Sequence, residues 1–70
     1  MINLWDYAGT SRRVRIKSKS GEVAKGFVIE VMDADEDEDA TGDAIAIKEK
    51  GRNKLWLFEY DEIEEIGFAD

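Results

Sequence analysis

Two groups of charged residues in this chain have the types and spacing to do chemistry. The first is Arg13, Arg15, Lys17 and Lys19, cations at every second position, which an extended strand projects from one face. Such a row can track a phosphate backbone, with Tyr7 or Trp5 as a stacking surface. The plainer alternative is the solvated half of an amphipathic strand, partly neutralised by the acidic loop or by Glu22 across the turn. The second group is Asp37-x-Asp39-x-Thr41-Gly42-Asp43, which copies the opening of a calcium loop, with glycine at its sixth position. At position twelve, where such a loop needs a bidentate glutamate, stands Lys48, and strand sequence follows instead of a helix, so no metal site is assigned.

Catalysis is not expected. Glu62, Glu64 and Glu65 lie at a polar corner, with no apolar pocket in sight to raise a carboxyl pKa for acid-base work. The chain has no Cys, His or Pro, which excludes a disulfide framework, a thiolate nucleophile, an imidazole base and a Cys/His zinc site. No cofactor is expected either.

Several elements must position the cations. Arg13 to Lys19 alternates strictly, with Val14 and Ile16 opposite the basic residues, the period of a half-buried strand. Ser20-Gly21 is the expected turn, because glycine accepts positive φ. The return strand to Met32 is apolar on both sides, with Phe27, Ile29 and Val31 as one set and Val28 and Met32 as the other. Gly26 just before this run marks a bend or bulge. Asn3 to Gly9 reads as a short helix, capped by Asn3 and stopped by Gly9, which docks Leu4 and either Trp5 or Tyr7.

Residues 33–43 are too acidic for a sheet and read as a solvated loop whose carboxylates suit a basic protein partner. Ala44 to Lys48 and Lys54 to Tyr60 form a second hairpin around Gly51. In the fourth strand Leu55 and Leu57 are expected to face the core. Trp56, Phe58 and Tyr60 then face outward, to be covered by the helix or by a partner. Asp61-Glu62 makes a corner, and Ile63, Ile66 and Phe68 a closing strand.

With 70 residues, 43% of them hydrophobic, residues 1–70 are one globular domain near the lower size limit, where association adds welcome stability. The net charge of −7 conceals segregation: residues 10–29 carry +5 and residues 30–43 carry −8. A negative whole-chain charge weakens long-range attraction to nucleic acid, while the local basic strand can still supply it. The N-terminus lacks a basic region followed by an apolar core, and no run approaches the ~20 apolar residues of a membrane span. A soluble, cytoplasmic protein with no membrane association is expected.

Val14, Ile16, Gly21, Gly26 and the apolar run to Val31, followed by Phe58, Asp61 and Ile63, frame two motifs. With the short N-terminal helix and the variable loop, they make the chain resemble the Sm-like (LSM) family over nearly its whole length. The resemblance implies a mostly β fold: a short N-terminal helix, then a five-stranded, strongly bent antiparallel small barrel. It also implies edge-to-edge assembly, strand four of one subunit on strand five of the next, which places Trp56, Phe58 and Tyr60 at an oligomer interface. The family's uridine pocket normally uses an Asp followed a few residues later by an Asn. Asp33 lies near the first place, but no Asn follows before Asn53. Glu59-Tyr60 replaces the family's Arg-Gly pair, and a carboxylate there repels phosphate.

Two functional expectations follow. One is a non-enzymatic, homo-oligomeric module that binds single-stranded RNA weakly and without uridine specificity, through Arg13, Arg15, Lys17 and Lys19. The other is a protein-protein interaction or structural adaptor domain with no nucleic-acid role.

Overall fold

The computed structural model of the protein describes residues 2–33, 42–49 and 51–69. The chain opens with a 3₁₀ turn, Leu4–Tyr7, whose Asn3 side chain accepts a hydrogen bond from the Trp5 N–H at 3.1 Å. That cap satisfies one of the donors left free at a helix start. Gly9, at φ +71°, ends the turn. The expected short helix is thus a single 3₁₀ element, too brief to persist without docking. Leu4 is buried, and the Tyr7 hydroxyl donates to the Ile66 carbonyl at 3.3 Å. Trp5 stays largely exposed and donates through Nε1 to the Asp43 carboxylate at 3.0 Å.

Five strands follow: β1 (Arg13–Ser18), β2 (Val23–Met32), β3 (Ala44–Glu49), β4 (Lys54–Glu59) and β5 (Ile63–Phe68). All pairings are antiparallel, and the order across the sheet is β4-β3-β2-β1-β5. β4 and β5 are therefore the two edges; the five antiparallel strands are as expected, and the sheet does not close into a barrel. Two register shifts bend it, one in β1 between Lys17 and Ser18 against β5, the other in β2 between Val28 and Glu30 against β3. Bulges of this kind kink a strand and increase its twist. No helix among the described residues is long and apolar enough to cross a membrane.

The turns follow the sequence closely. Gly21 stands at φ +96°, and the Ser18 and Glu22 backbones close the first hairpin at 2.8 Å. The buried Ser18 hydroxyl is satisfied there, accepting from the Glu22 N–H at 3.1 Å. Gly51 at φ +91° and Asn53 at φ +52° turn the second hairpin. Tyr60–Glu62 forms the 3₁₀ corner before β5, where the Glu62 carboxylate accepts from the Glu59 N–H at 3.1 Å.

One face of the bent sheet holds the core: Leu4, Val14, Ile16, Ala24, Val31, Ile45, Ile47, Phe58 and Ile63, with Tyr7, Val28, Trp56, Tyr60 and Ile66 packed against them. Burying each large aliphatic or aromatic side chain stabilises the fold by about 1.5–3 kcal/mol. β1 alternates as its sequence requires, Val14, Ile16 and Ser18 inward and Arg13, Arg15 and Lys17 outward.

Two strands depart from expectation. In β2 the bulge at Ile29 breaks the alternation, so Ala24 and Gly26 face inward before it and Val31 after it. Phe27 and Ile29 therefore do not share a face with Val31. In β4 the faces are reversed. Phe58 is 4% exposed and Trp56 is packed on the core, while Leu55 and Leu57 are 65% and 60% exposed. The cause lies in β3, where the buried Ile45 and Ile47 stand opposite Phe58 and Trp56. Residues directly opposite on an antiparallel pair share a face.

Candidate nucleic-acid interface

The outward face of β1, β2 and β3 carries the concentrated positive charge. Register places Arg13 opposite Phe27 and Phe27 opposite Lys48, making one cross-sheet row of a cation, an aromatic ring and a cation. A second row pairs Arg15 with Lys25. Side chains opposite one another in this way have Cβ atoms about 4.5–5.5 Å apart, so each row acts as a unit.

Two grooves flank Phe27. One, about 510 Å³, is lined by Arg13, Val23, Lys25, Phe27, Glu49 and Arg52. The other, about 470 Å³, is lined by Phe27, Ile29, Lys48, Glu49, Gly51 and Asn53. The carboxylate shared by both is already engaged: Glu49 accepts from Trp56 Nε1 at 3.0 Å and pairs with Arg52 Nε at 3.5 Å. Those bonds hold Arg52 at the rim of the first groove.

The structure does not gather the four cations singled out in the sequence into one cluster. Arg13 lines the first groove. Arg15 pairs with Glu65 at 3.7 Å and Lys17 with Glu64 at 3.4 Å, both across the β1–β5 ladder. Among the described residues the neutralising carboxylates thus come from β5 and not from Glu22, while most of the acidic loop lies outside the described residues. Exposed pairs of this kind contribute only about 0–1 kcal/mol, but they lower the positive potential of that part of the face. Lys19 has left the strand for the turn, where its N–H donates to the Glu62 carbonyl at 2.8 Å. Sequence reasoning missed Lys25, Phe27, Lys48 and Arg52. The Lys25-x-Phe27 alternation was their one local signal, masked by grouping Phe27 with Val31.

The proposed stacking aromatics are elsewhere. Tyr7 packs on Phe68, with ring centroids 5.1 Å apart, and the Arg12 guanidinium lies 3.9 Å from the centre of the Phe68 ring. Of the candidate interface residues, Phe58 is a core residue, Trp56 stacks on it at 5.6 Å with Lys54 over its ring, and Tyr60 lies partly buried against the same cluster. Most of the calcium-like segment lies outside the described residues. Of its last two members, Gly42 sits against the Tyr60 side chain, and the Asp43 carbonyl accepts from the Tyr60 N–H at 2.7 Å. Among the described residues no group of acidic side chains is placed to hold a metal ion. Comparison of the chain with protein-family models, with curated proteins and with solved structures finds no match.

Proposed function

We propose that this chain is a non-enzymatic Sm-like module that associates with single-stranded RNA through the electropositive outer face of its sheet. The observation that carries the reading is the outward cluster of Arg13, Lys25, Lys48 and Arg52 around Phe27. Cations beside an aromatic ring are what a sequence-tolerant single-strand site needs: charge for the phosphates and a π-face for a base. The Sm-like part of the reading rests on the sequence resemblance; the structure supplies a five-stranded antiparallel sheet with β4 and β5 as edges.

Salt dependence tests the electrostatic part. Binding of a single-stranded RNA falls steeply as salt rises, by about 0.7 log unit per phosphate contact for each tenfold change. Arg13→Glu combined with Arg15→Glu lowers affinity roughly tenfold or more at low salt and flattens that slope. Titration by fluorescence anisotropy at three salt concentrations reads both; unchanged affinity and slope would remove the site.

A second reading, a protein-binding or assembly role, rests on a different observation. β4 is an edge strand whose backbone is open on one side, and it carries Leu55 and Leu57 in the open. Unprotected edges with apolar side chains pair readily with another strand. With Trp56 and Phe58 turned inward, the interface residues of this reading become Leu55 and Leu57. Light scattering on a sizing column is expected to give a mass of several subunits, lowered by Leu55→Glu with Leu57→Glu. A wild-type monomer at micromolar concentration would exclude the self-assembling form.

A further inference from the structure

We propose that the two grooves beside Phe27 form one nucleotide-binding trough, with the phosphate seated among Arg13, Lys25 and Arg52 and the base lying between Phe27 and Ile29. The assignment deepens the RNA-associated reading and rests on it. It names which atoms of the strand go where.

The geometry points to a ligand with two chemically different halves. Among the described residues, the first groove is lined by three cations and one acidic residue. That carboxylate is occupied by the Trp56 indole and by Arg52 itself. Among the described residues neither Arg13 nor Lys25 takes part in an ion pair. The potential of this groove is therefore positive, and a phosphate entering it meets Arg13 and Lys25, which are in no ion pair among the described residues, beside Arg52, which is paired with Glu49.

The second groove offers different chemistry. Phe27 and Ile29 supply apolar surface, and Gly51 and Asn53 complete the lining with Lys48 and Glu49. Ile29 is exposed because the bulge leaves it without a ladder partner. Asn53 sits at φ +52°, and its amide supplies donors and an acceptor at the groove edge. Each groove lies within the range of about 300–1,000 Å³ usual for small-molecule sites.

Phe27 belongs to both grooves, so the anionic and the apolar sites adjoin across one ring. A phosphate-sugar-base unit is built with the same juxtaposition. An acidic peptide would satisfy the first groove and leave the apolar surface of the second unmatched. Single-stranded RNA therefore fits the trough better than a run of carboxylates.

The test uses the full chain and three labelled probes of equal length: single-stranded RNA, an abasic ribose-phosphate strand, and a poly-glutamate peptide. Wild type is expected to bind the RNA more tightly than the abasic strand, and both more tightly than the peptide. Phe27→Leu lowers RNA affinity roughly tenfold, as loss of one stacked base does. It leaves abasic binding and the salt slope unchanged. Ile29→Ser, at an exposed position that the fold does not need, reproduces that selective loss even if Phe27→Leu fails to fold. Lys25→Glu with Arg52→Glu weakens RNA and abasic strand alike and reduces the salt slope.

If both apolar variants bind RNA as wild type does, the base site is overturned while the electrostatic reading stands. If wild type binds neither strand at low salt, both fall. Peptide binding as tight as RNA binding would assign the trough to a protein partner instead.

Discussion

Replacing Gly26 by alanine is expected to destabilise the protein by roughly 3 kcal/mol or more, at or above the upper end of ordinary overpacking costs. Gly26 lies in β2 opposite Val14, facing the core. A Cβ built there would stand 2.3 Å from the Lys48 carbonyl oxygen, 2.7 Å from its carbon and 3.1 Å from the Glu49 nitrogen. All three are backbone atoms, so no side-chain rotation relieves the clash. β2 and β3 must separate, and the Phe27–Lys48 and Val28–Ile47 pairs beside the site open with them. A chain of this size has roughly 4–10 kcal/mol in total, at about 0.05–0.15 kcal/mol per residue. Gly67→Ala is the control, since nothing lies within 4 Å of its Cβ position and its φ is not in the left-handed region. That substitution is expected to change stability by about 0.5 kcal/mol or less. Urea unfolding followed by far-UV circular dichroism compares them; equal midpoints would mean that β2 and β3 do not approach as closely as described.

The second large effect is expected at Phe58. Phe58→Ala removes a nearly buried ring that packs against Ile45 across the β3–β4 ladder, and is expected to cost about 3–5 kcal/mol. Leu57→Ala, one residue away on the solvent side, is expected to stay within about 0.5 kcal/mol when measured on dissociated chains. The contrast decides the orientation of β4, because a strand turned the other way would invert it. Circular dichroism is the better probe here, since the Trp56 ring stacks on Phe58 and its fluorescence changes with the substitution itself.

How far the sequence alone reaches differs from strand to strand for identifiable reasons. β1 is legible because one residue type occupies each side, and the structure follows the alternation from Arg13 to Ser18, departing at Lys19, which lies in the turn. The turns are legible because Gly21 and Gly51 mark positions that need positive φ. β4 is not legible in this way. Leu55, Trp56, Leu57 and Phe58 are all apolar, so the period-2 signal vanishes, and only the non-local pairing with Ile45 and Ile47 selects the inward set. In β2 the alternation exists but changes phase at Ile29, and a bulge leaves no local mark when both phases are apolar. The candidate site suffers from the same limit. Its cations come from β1, β2, β3 and the β3–β4 turn, and only the sheet register gathers them around one ring. A charge run along a single strand was the visible part of a cluster built across several.

The acidic segment between Asp33 and Asp43 leaves the sheet and returns to it through a fixed gate. Met32 and Ala44 are ladder partners, and the Asp43 backbone and side chain are tied to Tyr60 and Trp5. Because the flanks at Met32 and Ala44 are pinned by the sheet, a flexible insertion between them adds a closure entropy that grows only logarithmically with length. Doubling it costs about 0.6 kcal/mol. A tag or grafted peptide inserted between those pinned flanks is therefore expected to leave the stability of the sheet almost unchanged.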